Sequence, residues 1–206
     1  MNAGVSDIVE TVDNRCENLA FKEDKAIAAL SQLIKLANNK LNHYVASKLL
    51  YLFDREVLLE TGEPAFFGQH FALHKGPIIS EINNGIKSCS AIEEKNSNNW
   101  SEHFSLQNHT LSQKEPDVLI NNNLLSDEEV ERLSNLYKNY GHAKKGVLEK
   151  HIQDMAEHID IDEGKRQAMS YGYILEKNGF SPKQVSELLD EIEYDSNFRK
   201  NLEQSR

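Results

Sequence analysis

The stretch VASKLLYLFDREVLLETGEPAFFGQHFALHKGPIISEINNGIK, residues 45–87, decides the fold, because it leads a dense amphipathic segment through a short alternating one into a Gly-Pro corner. Ala46, Leu49, Leu50, Phe53 and Val57 recur at helical spacing. That periodicity predicts a helix with one apolar face, leaving Lys48, Asp54, Arg55 and Glu60 toward solvent or a partner. Asn42 stands where an N-cap belongs and Gly62 where a left-handed C-terminal residue belongs. Phe66 to Leu73 alternates imperfectly, as a short strand would. Pro77 then fits the first position of a new helix, where its missing N–H costs nothing, with Ile78, Ile82 and Ile86 repeating every four residues.

On the N-terminal side, Ala26, Ile27, Leu30, Leu33, Ile34 and Ala37 form the stripe of an earlier helix that Asn38-Asn39 ends. Residues 1–20 lack sustained periodicity and are expected to be a loosely ordered arm. On the C-terminal side, residues 89–123 are rich in Asn and Ser but interrupted by Trp100, Phe104, Leu106, Leu111 and Val118-Leu119-Ile120. This predicts a loop with two short strands, which would join the strand before Gly76 in one small antiparallel sheet. Ser126 and Glu129 form a capping box ahead of Val130, Leu133, Leu136, Tyr137 and Tyr140, and Gly141 closes that helix. Leu148, Ile152, Met155 and Ile159 predict the next helix, Asp162 opens one through Leu175, and Gly179 ends it. Ser181-Pro182-Lys183-Gln184 is a second capping box, with Val185, Leu188, Leu189 and Ile192 behind it. The expected fold is mainly α (α+β): a single-domain bundle of about seven helices with a small antiparallel β element, over residues 21–194, with a C-terminal tail at 195–206.

With 206 residues, 39% of them hydrophobic, the chain is long enough for one core. Its net charge of −10 divides evenly, −5 in residues 1–125 and −5 in residues 126–206. Phosphate binding needs clustered Lys and Arg, so direct nucleic-acid binding is not expected, whereas a basic protein partner is compatible. No apolar run approaches the ~18 residues of a membrane span and no leader pattern opens the chain. Cys16 and Cys89 have no Cys or His at metal-ligand spacing and read as free thiols of a reducing compartment, so a cytoplasmic location is expected.

Lys48-Leu49-Leu50-Tyr51-Leu52, Asp54-Arg55, Gly62, Phe71-Ala72 and Gly76-Pro77 together resemble the Panacea domain of SocA-like antitoxins, a family that also includes phage-associated GepA-type proteins. A second block, LLSDEEVERLSNLYKNYGHAKKGVLEKHI at 124–152, resembles the family's later helix pair, with Tyr140-Gly141, Leu148 and His151 at its marked positions. The likeness covers roughly residues 25 to 190; many family members carry a Tyr where this chain has Asn83. The resemblance implies a helical antitoxin that is not an enzyme, needs no cofactor, and binds a protein toxin encoded by a neighbouring gene. In one branch such a protein hands its toxin to a protease. A phage or mobile-element protein that binds another host factor, and an enzyme using His74, Asp54 and His151, are the competing readings. The matched blocks place the partner surface on Tyr51, Asp54, Arg55, His74, Lys75, Gly76, Pro77, Glu81 and His151.

The residues themselves give little for catalysis or metals. His70 and His74 on a strand would lie about 13 Å apart, and His151 and His158 on a helix about 10.5 Å, both too far to share one ion. Asp54 and Arg55 diverge by about 100° on a helix, so they cannot jointly clamp one reacting atom. Tyr51, Leu52, Leu58 and Leu59 occupy the neighbouring positions of Arg55, so any ion pair it makes must come from another element. There is no phosphate-binding glycine loop, Gly-x-Ser-x-Gly elbow or His-Glu-x-x-His motif.

Overall fold

Capping signals and apolar periodicity set most of the helix ends. The structure is a computed structural model that describes residues 19–90, 99–116, 118, 120–143 and 145–204. The expected N-terminal arm lies outside these residues up to position 18. The elements in chain order are α1 (Glu23–Leu36), β1 (Leu41–Asn42), α2 (His43–Thr61), β2 (His70–Leu73), β3 (Ile78–Ile79), α3 (Ser80–Ser88), α4 (Asn99–His103), β4 (Phe104–Gln107) and β5 (Thr110–Gln113). They continue with α5 (Asp127–Leu136), a π-helical turn at Tyr137–Gly141, α6 (Lys145–Gln153), β6 (Arg166–Met169), α7 (Tyr171–Lys177) and α8 (Pro182–Gln204). The protein is mainly α, with eight α-helices and two three-stranded antiparallel sheets among the described residues.

The ends of α2 are set as its sequence predicts. Asn42 accepts from the Tyr44 and Val45 backbone N–H groups, and Gly62, at φ +80°, takes the left-handed conformation that a residue with a Cβ resists. α2 is also the element that both parts of the core share. Leu49, Leu50 and Phe53 pack with Ile27, Leu30 and Leu33 of α1 and Leu133 and Leu136 of α5. Leu58 joins a smaller cluster with Phe67, Met169, Ile174, Leu175, Val185, Leu189 and Ile192. Both capping boxes form: Ser126 with Glu129, and Ser181 with Gln184.

Five expectations change. Pro77 does not start a helix: Ile78 and Ile79 form β3, and α3 begins only at Ser80. These β-branched residues pair with β2, in the register His70 to Ile79 and Phe71 to Ile78. The strands do not share one sheet. The β4–β5 hairpin pairs with β1, while β2 lies between β3 and β6. Of the helix expected from Asp162 to Leu175, the second half forms as α7 from Tyr171, but the first half is replaced by β6, whose Arg-Gln-Ala-Met sequence favours a helix by itself. Pairing along all of β2, from His70–Met169 to Leu73–Arg166, overrides that preference. α6 correspondingly stops at Gln153, so His158 is not on the helix of His151 and the spacing argument for that pair does not apply. α8 continues to Gln204, past the expected boundary at 194.

α3 lies so close to α4 that a Cβ at Gly85 would run into the Trp100 indole, whose N–H donates to Glu23 at 2.7 Å. Alanine is the better helix former, yet Gly85→Ala should destabilise the fold by roughly 1–3 kcal/mol through overpacking. Urea unfolding measures this directly; a gain in stability would mean that the indole can move aside.

Candidate functional site

Tyr44, Lys48, Tyr51 and Arg55 stand at i, i+4, i+7 and i+11 of α2, so they form one polar seam along the helix. The Tyr44 hydroxyl lies 3.2 Å from both the Lys75 carbonyl oxygen and Glu149 Oε1. Burial and the Glu149 charge push that hydroxyl above its usual range. Lys48 Nζ donates to the Gly76 carbonyl at 2.6 Å and to the Pro77 carbonyl at 2.7 Å. Tyr51 donates to Glu157 Oε1 at 3.3 Å. Arg55 meets Glu157 with two nitrogens, Nε on Oε1 and Nη2 on Oε2 at 3.0 Å, and donates to Asn178 Oδ1 at 2.9 Å. Asn178 closes the group by donating to Glu157 Oε2 at 3.0 Å.

The seam corrects the expected orientation of α2. Lys48 is 2% exposed and Asp54 0%, so neither points to solvent, and Arg55 is half-buried; Glu60 alone of the four is exposed. The ion-pair partner of Arg55 does come from another element, as its helical neighbours require. Burial alone would raise the Glu157 carboxyl, but hydrogen bonds from Arg55 and Asn178 outweigh it and hold the group below its ordinary 4.5. Burial, joined by Glu157, pushes the Tyr51 hydroxyl well up. Lys48 is the reverse case: burial lowers its ammonium to about 7 against the opposing pull of Glu149.

Beside the seam, Asp54 accepts from the Phe66 backbone N–H at 2.8 Å and pairs with His70 Nε2 at 2.8 Å, both side chains fully buried. The His70 ring lies edge-on between Tyr51 and Tyr171, with centroids at 5.4 and 5.0 Å. The pair is closed to solvent, so it ties β2 to α2 and cannot meet a substrate in this conformation. Burial likewise raises the Cys89 thiol to about 12, an unreactive state. Among the described residues, no three His, Cys, Asp or Glu side chains converge on a possible metal position.

The nine expected surface residues therefore separate. Tyr51 and Asp54 are buried, Gly76 and Pro77 are buried at the corner that Lys48 holds, and Arg55 belongs to the Glu157 cluster. Gly76 turns the chain at φ +87°. His74 is exposed, with Nδ1 3.0 Å from the Ile161 carbonyl, and Lys75 is exposed. Glu81, half-buried, accepts from the Gln69 backbone N–H at 2.9 Å. His151 stacks on Tyr140 at 4.5 Å. Asp54, His74 and His151 thus have three different partners and form no catalytic cluster.

Where α2 begins, an open groove of about 570 Å³ is lined by Asn42, His43, Tyr44, Val45, Lys75, His109, Gly141, His142 and Ala143. His43 and His109 stack with centroids 5.2 Å apart, and His142 Nε2 lies 3.2 Å from the Tyr137 hydroxyl. None of these lining residues is acidic, although the chain carries −10 overall. The sequence reading missed His43, His109 and His142, which lie far apart in the chain and meet only through the β4–β5 hairpin and the π-helical turn. It also missed Tyr44, Glu149, Glu157 and Asn178, and it turned Lys48 toward solvent or a partner. For the α2 members the one legible signal was the helical spacing of Tyr44, Lys48, Tyr51 and Arg55.

Residues 47–157, more than half of the chain, match the family described as antitoxin SocA-like, Panacea domain. The chain belongs to this family. The Panacea segment begins one residue before Lys48 and ends at Glu157, so it contains the Lys48 corner contacts and the Arg55–Glu157 pair. Asn178, which completes the pair, lies beyond it. Comparison with curated proteins and with solved structures gave no significant match.

Two variants probe the seam. Between the folded value of about 7 for Lys48 and the ordinary 10.5, the unfolded chain binds the additional proton, so the stability contributed by this group rises with pH. The stability of wild type minus that of Lys48→Met should increase across this window by up to about 1.4 kcal/mol per pH unit. A flat difference in urea unfolding at fixed ionic strength would mean that Lys48 stays charged in the fold. Arg55→Glu sets a second carboxylate against buried Glu157 and should lower stability by roughly 3–5 kcal/mol. An unchanged melting temperature would show that the pair is not part of the folded framework.

Proposed function

We propose that this protein is an antitoxin that binds a protein toxin, encoded by a neighbouring gene, and neutralises it without chemistry of its own. Membership of the SocA-like Panacea family carries this reading. The geometry agrees with it: the polar groups of α2 are used internally, while His74 and Lys75 stand exposed on the corner that Lys48 anchors. The groove beside Lys75 offers imidazoles and an ammonium without a carboxylate, which suits an acidic or aromatic side chain of the toxin. On this reading His74, Lys75, Glu81 and His151 belong to the partner surface, whereas Tyr51, Asp54, Arg55, Gly76 and Pro77 hold it in shape. Transfer of the bound toxin to a protease would use the same complex, with the protein as adaptor.

The test is co-expression with the neighbouring open reading frame. That frame should be toxic alone and harmless with this protein, and the two should co-purify. Lys75→Glu should weaken binding at least tenfold, about 1.4 kcal/mol, and reduce protection while leaving the melting temperature unchanged. Equal protection by the variant would remove Lys75 from the interface, and a harmless neighbouring frame would remove the antitoxin reading.

A further inference from the structure

α8 carries a second surface, outside the segment matched by the family and independent of the antitoxin reading. Its inner face is Val185, Leu189, Ile192 and Ser196, at i, i+4, i+7 and i+11, all buried. Ser196 is covered by the chain itself, accepting from the Ala20 backbone N–H at 2.9 Å. At 100° per residue, Glu187, Glu191, Tyr194, Phe198 and Leu202 form a second line on the opposite side. Tyr194 is 72% exposed, Phe198 56% and Leu202 52%; these are three of the six large apolar side chains that stand exposed among the described residues. Residues 187–195 contain five carboxylates and no basic side chain, and one turn earlier Lys183 Nζ lies 3.6 Å from Glu187 at the exposed end of this line.

We infer that this outer face of α8 is a docking surface for a cationic amphipathic helix of another protein. The apolar side of such a helix would cover Tyr194, Phe198 and Leu202, and its Lys or Arg side chains would lie over Glu187, Glu191 and Asp195. Charge selects this occupant over a second copy of the chain. Two copies, each carrying −10, repel, whereas a basic helix adds attraction to the same apolar contact.

The probe is a fluorescent 18-residue peptide of Leu and Lys with Leu at i, i+3, i+4 and i+7, compared with a shuffled peptide of equal composition at near-physiological salt. The full chain should bind the patterned peptide at least tenfold more tightly than the shuffled one. Tyr194→Ser combined with Phe198→Ser should lose that preference, and Glu187→Lys combined with Glu191→Lys should weaken binding at least tenfold, both with unchanged melting temperature. Equal binding of the two peptides, or variants that bind as wild type does, would overturn the proposal. So would a wild-type dimer that Phe198→Ser converts to monomer, which makes a second copy the occupant. Tighter peptide binding after deletion of residues 1–18 would assign the face to the chain's own N-terminus.

Discussion

The ammonium of Lys48, buried against the carbonyl oxygens of Gly76 and Pro77, is the contact on which the rest of the arrangement turns. A lysine inside a core is tolerated only if acceptors meet it, and here they are main-chain oxygens that the corner must present inward. That requirement fixes how the chain leaves β2 and enters β3, and so where His74 and Lys75 stand. Proline suits this buried position because it brings no N–H that would need a partner there, while its carbonyl accepts from the lysine.

The Arg55–Glu157 pair does the corresponding work at the other end of α2. Buried ion pairs contribute little net stability when complete and are costly when broken, so this pair penalises any arrangement that separates α2 from Glu157. Glu157 also receives Tyr51 and Asn178, which leaves its oxygens few alternatives. The segment after α6, without regular structure of its own, is thereby held against α2 by these polar contacts as well as by the packing of Met155, Ile159 and Ile161 against the core.

The helical framework was legible because its signals are local. Asn42, Gly62, the two capping boxes and the stripe of α1 each act within a few residues, and each appears where expected. The surface of α2 was misread because residue type was taken as a proxy for exposure. Lys48 and Asp54 look like solvent-facing residues until a distant backbone supplies their partners. β6 was hidden for a related reason: nothing in Arg-Gln-Ala-Met favours a strand, and only the free edge of β2 makes it one. The groove was invisible since its histidines come from separate elements.

The central position of β2 also bears on how the chain folds. One neighbour, β3, follows after a tight turn and can pair early, but β6 returns only after a long excursion; the nearby Tyr171–Gly68 hydrogen bond spans 103 residues. Closing such a loop is entropically slow, so the local hairpin and α2 should form well before the second edge of β2 is covered. During that interval β2 exposes unpaired backbone groups, the condition that favours pairing between chains. A piece cut to residues 47–157 would be left in that state permanently: it keeps the corner and Glu157 but lacks β6 and Asn178. The contacts that complete β2 and the Arg55–Glu157 pair therefore extend beyond the segment that matches the family.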